Sequence, residues 1–348
     1  MAKNPIRLAI AGCGYFSKYH VEAWARFDDV NIVGAADRDL SKSRQIAISH
    51  GLPTAFDKPS DMLGAIKPDL VDIVAPPDAH LSIIRSAAEF GVNVICQKPF
   101  CGNLAEAQEA VALAEQAGIS LAIHENFRFQ PWYREIKKLL AAGAIGQVYS
   151  MNFRLRPGDG QGESAYLDRQ PYFREMRRFM VFETAVHHFD VFQFLLGRPK
   201  AVFADLRRLN PVISGEDAGF IVLHFNNAVR ALYDGNRLVD HSAEDRRRTM
   251  GEMTIEGSGG VLRLDGNGNI FVRKTGHNEE SQHAYEWQDI GFGGDCVYAY
   301  QAHVLSHLRK NTPLEISGRD YLANIAIIEA TYRSAETGCI SPIEYPDG

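Results

Sequence analysis

The chain has 348 residues, with 37 Lys+Arg against 43 Asp+Glu for a formal charge of −6; 45% of its residues are apolar and 23% charged. That is ordinary globular composition, and at about 100 to 200 residues per domain it predicts two domains whose cores need no disulfide or metal staple. Mild negative charge offers no broad basic surface to a phosphate backbone, and the one dense basic run, Arg246-Arg247-Arg248, follows Asp245, so no nucleic-acid partner is expected.

The first third alternates short apolar runs with amphipathic segments, the signature of buried parallel strands joined by crossover helices. Ile6–Ala11, Val30–Ala36, Leu70–Ala75, Val92–Gln97 and Ile119–His124 read as strands, with a short one at Thr54–Phe56. Between them Ser17–Phe27, Ser41–Ile48, Asp78–Phe90 and Leu104–Gln116 read as helices, the last two stopped by Gly91 and Gly118. This is a doubly wound, Rossmann-type nucleotide-binding domain, expected over residues 1–125. The pattern then changes. A helix at Pro131–Ala142 leads to a strand at Gln147–Leu155, and strand-like runs follow at Ala201–Leu209, Ala218–Phe225, Val229–Asp234, Gly251–Glu256, Val261–Leu264 and Ile270–Arg273. Turns such as Asn226-Asn227 and the lack of crossover helices predict antiparallel pairing. One strongly apolar helix, Phe179–Leu196, interrupts the series, and helices at Asp295–Arg309 and Arg319–Thr337 close it. An α+β second domain with an open, mostly antiparallel sheet is therefore expected over 126–348.

Five cysteines, Cys13, Cys96, Cys101, Cys296 and Cys339, form no C-x-x-C pair or zinc spacing, so they read as reduced thiols with no metal site. The apolar run Leu8–Ala11 stops at Gly12, too short for a signal segment, and nothing reaches membrane-spanning length. A cytoplasmic protein with no membrane partner is expected.

Chemistry concentrates at the carboxyl edge of the first sheet. Gly12-Cys13-Gly14-Tyr15-Phe16-Ser17 joins a strand to a helix, where backbone N–H groups can cradle a diphosphate. Asp37 follows at the tip of the second strand, where a carboxylate binds ribose hydroxyls. Asp37 favours NAD; Arg38 beside it would pair with a 2′-phosphate, which keeps NADP open. Ser17 replaces the third glycine of the usual pattern. The strand Val92–Gln97 delivers Gln97-Lys98-Pro99 to the same edge, as the first-domain strands deliver Pro76-Pro77 and His124 to Pro131. Asn126 is placed to meet a nicotinamide. Arg128 reads equally as a substrate contact or an ion-pair partner, and His80 equally as packing or a ligand contact. In the apolar helix, Glu183, His187 and Asp190 fall at i, i+4 and i+7, one narrow stripe among residues that predict burial, so they should meet partners or a ligand. His188 lies off the stripe and reads as packing.

The glycine turn with Asp37, the Lys98-Pro99 pair, the Asn126–Pro131 stretch and the Glu183–Asp190 helix, in that order, resemble the Gfo/Idh/MocA oxidoreductase family over essentially the whole chain. The resemblance implies hydride transfer between a nicotinamide and a sugar or cyclitol carbinol, in a homodimer or homotetramer pairing through the second sheet. Lys98 matches the lysine of the family's Glu-Lys-Pro, and Glu183, His187 and Asp190 match its Asp-x-Gly-x-His-x-x-Asp motif, with His187 on the catalytic histidine. Gln97 stands where that family usually has Glu, and Glu183 and Ala185 where it has Asp and Gly. The longer carboxylate shifts the substrate by about one carbon–carbon bond, roughly 1.5 Å. Within the family, His124–Pro131 with Gln170-Pro171-Tyr172-Phe173 and Glu183 most resembles aldose dehydrogenases that form lactones, including those acting on branched pentoses such as apiose.

The expected catalytic set is therefore Lys98, His187 and Glu183. The expected cofactor set is Gly12, Gly14, Tyr15, Phe16, Asp37, Arg38, Pro76, His80, Gln97, Lys98 and Asn126; Arg128 and Asp190 join the catalytic residues around substrate. Three other readings remain: an inositol or polyol dehydrogenase, NAD-dependent glycoside cleavage, and a dinucleotide-binding regulator without catalysis.

Overall fold

The computed structural model describes residues 4–346, so the outermost ends of the two sequence-based domains, 1–3 and 347–348, lie outside it. The chain divides into two compact units: residues 4–125 with Val297–Ile325, and Asn126–Cys296 with Ala326–Pro346.

In the first unit, β1 (Ile6–Ala11) is buried from Leu8 to Ala11 on both faces, as a central parallel strand must be. Helix α1 (Ser17–Trp24) leads to β2 (Val30–Ala36), α2 (Leu40–Ser49) to β3 (Ala55–Phe56), α3 (Pro59–Ile66) to β4 (Leu70–Ile73), α4 (Pro77–Phe90) to β5 (Asn93–Gln97), and α5 (Leu104–Ala117) to β6 (Leu121–His124). The strands lie in the order β3-β2-β1-β4-β5-β6, all parallel, so the order of strand addition reverses between β1 and β4. That reversal opens a crevice at the carboxyl ends of these two strands, where ligands of such sheets bind. Helix α3 was not legible as a helix. Pro59 occupies its first turn, where no N–H is needed, and Gly64 lies against the Phe90 ring.

The second unit begins with α6 (Pro131–Ala141) and β7 (Val148–Leu155), then a long loop. The predicted helix Phe179–Leu196 is instead a π-helical turn, Met180–Ala185, opening α7 (Val186–Leu196). Strands β8 (Ala201–Arg207), β9 (Ala218–His224), β10 (Arg230–Asn236), β11 (Gly251–Gly257), β12 (Gly260–Leu264), β13 (Ile270–Lys274) and β14 (Ser281–His283) follow, with β15 (Ser341–Pro342) near the end of the chain. They form one sheet, β14-β13-β12-β11-β7-β10-β9-β8-β15. Every pairing is antiparallel except β7 with β10, which runs parallel from Ser150 against Arg230 to Leu155 against Gly235. The intervening loop and α7 return the chain to the same end of the sheet, which hairpin reasoning does not anticipate. Beneath the loop Ala165, Tyr166, Phe173, Phe179 and Ile213 make a small core of their own.

The first unit is completed by sequence-distant residues, where the structure departs from the expected 126–348 domain. On α8 (Cys296–Lys310), Tyr298 stacks on Phe27 at 4.4 Å, Tyr300 lies 4.4 Å from the His124 ring, and Gln301 donates to the His20 carbonyl. Ile316 then accepts from the Ile123 amide beside β6, and α9 (Gly318–Thr337) sets Arg319 on Glu115. Chain order placed these residues with the second domain; their packing places them with the first.

Candidate active site

The crevice of the first unit is shaped by the β1–α1 turn. The Gly12 amide donates to Ala36 O, with φ +97, and a Cβ there would lie 2.5 Å from Val74 O. Only glycine lets the turn pass so close to the end of β4. Gly14 is the opposite case: it is exposed, and a Cβ on it would meet nothing within 4 Å. Ser17, in place of a third glycine, is buried and donates its hydroxyl to Gly14 O at 2.7 Å, closing the turn while α1 begins without a side-chain cap. The result is a helix N-terminus under an open, glycine-floored space, which fits a diphosphate.

Asp37 accepts from the Cys13 amide at 2.7 Å through Oδ2 and from the Asp39 amide at 2.8 Å through Oδ1. Each oxygen retains a lone pair for a ribose hydroxyl. Burial, with Asp37 adding to it, pushes the Cys13 thiol up to about 12, so it stays protonated. Arg38, Tyr15 and Pro76 are exposed around this turn, and Phe16 is half-buried. These residues fit NAD: the Gly12–Ser17 turn would hold the diphosphate and Asp37 the adenosine ribose.

Three members of the expected cofactor set are engaged in the fold. His80 is fully buried, with Nε2 donating to Ala75 O at 2.8 Å and Nδ1 accepting from the Cys101 amide at 3.3 Å; burial brings its pKa down to about 4. It is a neutral brace of the α4 start, which withdraws it from the ligand contacts. Gln97, also buried, uses one end of its amide on His20 and the other on the Lys98 N–H. Asn126 is buried in the second unit and donates to Cys296 Sγ at 3.1 Å. Lys98 stands half-buried just past the end of β5.

In the second unit the stripe Glu183, His187, Asp190 is built differently from an α-helical face. The Val186 amide bonds to Val181 O, five residues back, and this wider π turn rotates Glu183 relative to the α-helical residues after it. His187 is 6% exposed and its ring lies flat on Phe127, with centroids 3.9 Å apart and planes 6° from parallel. Asp190 takes the Arg128 fork, Nε at 2.7 Å and Nη2 at 2.5 Å, so these two expected substrate contacts are bound to each other. Glu183 Oε2 accepts from Thr184 Oγ1 at 2.5 Å and lies 3.6 Å from Arg237 Nη1. His188 stacks on Phe153, and burial, with His187 adding to it, lowers its pKa well below the usual value, so it is a neutral packing residue.

Arg237, from the end of β10, was not anticipated. Its side chain is 1% exposed, and it donates to both oxygens of Asp159, to the Tyr166 hydroxyl and to Thr184 Oγ1. A guanidinium only donates, so Thr184 must accept from it and pass its own proton toward Glu183. Arg237 thereby ties the long loop to the π turn. Phe127, Thr184 and Asp159 are likewise revealed only by the structure; a lone Arg after a strand carries no sequence signal of burial.

Among the described residues no group of three or more His, Cys, Asp or Glu side chains is arranged to hold a metal ion, and no helix is long and apolar enough to cross a membrane.

Two family models match the chain: an oxidoreductase family NAD-binding Rossmann fold (GFO_IDH_MocA) over residues 6–125, and the C-terminal alpha/beta domain of that family over 137–344. Among curated proteins, the D-apiose dehydrogenase of Paraburkholderia graminis is 32% identical over 337 residues, spanning 95% of this chain and 88% of the relative. That of Rhizobium rhizogenes is 29% identical, spanning 97% of both. Among solved structures, an oxidoreductase from Agrobacterium radiobacter in complex with NAD+, L-tartaric acid and magnesium superposes with a TM-score of 0.88 at 27% identity, covering 98% of this chain and 99% of that one.

Proposed function

We propose, because the chain belongs to the Gfo/Idh/MocA oxidoreductase family and is an NAD-dependent oxidoreductase acting on CH–OH groups, that its substrate is an aldose oxidised to a lactone, with a branched pentose such as apiose the first candidate. The observation that carries this reading is the near full-length similarity to two D-apiose dehydrogenases. NAD, when bound, supplies the hydride acceptor.

The chain's own residues supply the proton chemistry. His187 takes the proton of the reacting hydroxyl, imidazole being the side chain suited to a base near neutrality. Phe127, flat against the ring, holds its plane. Glu183 stabilises the imidazolium that forms and is itself oriented by Thr184 and Arg237. Lys98 stabilises the developing alkoxide. Arg128 and Asp190, paired with each other, position α7 against the Phe127–Phe129 turn beside the substrate. The reading also takes the protein to be a homodimer or homotetramer, supported by Phe220, half exposed beside the part-covered Val222 and Leu232 on one face of the second sheet.

The test is a panel of aldoses, branched pentoses and inositols with NAD and NADP, read as NAD(P)H absorbance, for the wild type and Lys98→Ala. An aldose should give net NADH, and Lys98→Ala should lower kcat at least about 100-fold with NAD affinity nearly unchanged. Binding of NAD with no reduction by any sugar would leave a regulator; sugar release without net NADH would leave glycoside cleavage.

A further inference from the structure

Lys98 is reached through a buried chain of polar side chains that the chemistry proposed above does not use. Asp72 of β4 is fully buried, and its Oδ2 accepts from the Trp24 indole at 2.7 Å and sits 2.8 Å from His20 Nδ1. His20 Nε2 lies 3.0 Å from the amide nitrogen of Gln97, and Gln97 Oε1 accepts the Lys98 N–H at 2.7 Å. His20 is fully buried and Gln97 is 7% exposed.

Donor and acceptor rules leave this chain a single arrangement. The Trp24 indole only donates, so Asp72 Oδ2 is an acceptor, and His20 Nδ1 must carry a proton toward it. At the far end the Lys98 N–H only donates, so Gln97 must present its carbonyl there and its NH2 to His20. His20 Nε2 is then an acceptor. The imidazole is neutral with its proton on Nδ1. A second proton on His20 would make both ring nitrogens donors, force the Gln97 amide to turn over, and set its NH2 against the Lys98 N–H. Facing His20 are also the His124 ring of β6, with centroids 4.0 Å apart, the Phe16 ring of the glycine turn at 5.5 Å, and the Gln301 amide of α8 on the His20 carbonyl. Tyr300 lies behind His124.

We propose that Asp72, His20 and Gln97 form a positioning relay, working through a neutral imidazole, that fixes the backbone of Lys98 and so aims its amine. The relay explains the glutamine. Its amide donates at one end and accepts at the other, as the two neighbours require. A glutamate at 97 could keep both contacts only with one added proton between it and His20, carried by the ring or by the carboxyl. The protonation state of a buried histidine and the placement of Lys98 are thereby linked through one side chain. That link to catalysis rests on the role given to Lys98 above; the tautomer assignment does not.

The experiment has a spectroscopic and a kinetic arm, both on the full chain. Nitrogen-15 NMR of histidine-labelled protein, with His20 assigned from the signal lost in His20→Asn, should show one neutral tautomer protonated on Nδ1 at neutral pH. An Nε2–H tautomer or an imidazolium in the wild type overturns the relay. In the kinetic arm, with whichever sugar the panel identifies, Gln97→Leu should lower kcat at least about tenfold with KM for NAD within about threefold, and Gln97→Glu should restore most of the loss. An unchanged kcat in Gln97→Leu overturns the positioning role. If no sugar is oxidised, the proposed reaction falls while the NMR result still decides the relay.

Discussion

Replacing Arg237 by methionine removes a buried cation while keeping most of its apolar stem, and the cost follows from its partners. The guanidinium is 1% exposed, binds both oxygens of Asp159, and packs beside the Tyr166, Phe173 and Phe179 rings. Burial alone would lower its pKa, but Asp159, Tyr166 and Glu183 outweigh that and raise it, so the group is charged in the fold. Breaking a buried ion pair by deleting one partner costs about 3 to 5 kcal/mol, because the other charge is left uncompensated. Here Asp159 keeps Arg169 at 3.0 Å and is 22% exposed, so rehydration limits the loss and the lower end, about 3 kcal/mol, is expected. With an m-value of about 3 kcal/mol/M, the urea midpoint should fall by about 1 M, read by circular dichroism and tryptophan emission. Arg237→Lys, which keeps the charge but loses the fork, should fall between the two. A midpoint within about 0.2 M of wild type would refute the view that this cation holds the loop to the π turn.

At the glycine turn, Gly12→Ala should destabilise the first unit by about 1 to 3 kcal/mol in thermal or urea melts, since φ +97 and a Cβ 2.5 Å from Val74 O are both forbidden to alanine. Gly14→Ala should leave those melts unchanged and weaken NAD binding in calorimetry, its methyl entering the open space above the turn; wild-type affinity would move the diphosphate elsewhere. His80 gives a pH prediction. Its folded pKa of about 4 lies below the unfolded value near 6.5, so the unfolded chain binds the proton first. Its stability contribution is full above about pH 6.5 and falls by about 3 kcal/mol as the pH drops toward 4. Denaturant midpoints for His80→Asn should therefore depend less on pH across that window, and an unaltered slope would show that His80 titrates normally.

Periodicity and turn chemistry made β1 and β2 legible to the residue; in β1 the run Leu8–Ala11, buried on both faces, has few alternative readings. The glycine turn and Asp37 were legible for a similar reason: spacing along the chain dictates their proximity. What the sequence concealed depends on contacts between distant segments. Helix α8 belongs to the first unit through Tyr298, Tyr300 and Gln301, whose partners Phe27, His124 and His20 are far away in the chain. The π turn at Met180–Ala185 has no compositional mark, so an α-helical wheel put Glu183, His187 and Asp190 on one stripe while the structure opens that stripe with a wider turn. Arg128 and Asp190 illustrate the same limit. Each residue type suits a ligand, and only the bidentate geometry shows that the two are paired. Gln97 was read as a departure from a pattern; its reason lies in His20 and Asp72, which no spacing rule connects to it.

Transfer of hydride from C1 of an aldose to bound NAD can be followed by incubating the enzyme with an aldose carrying deuterium at C1 and analysing the reduced dinucleotide by mass spectrometry and NMR. The wild type should place one deuterium at C4 of the nicotinamide, and Lys98→Ala should give essentially no labelled NADH. Unlabelled NADH, or lactone formed with no deuterium on the dinucleotide, would contradict that transfer.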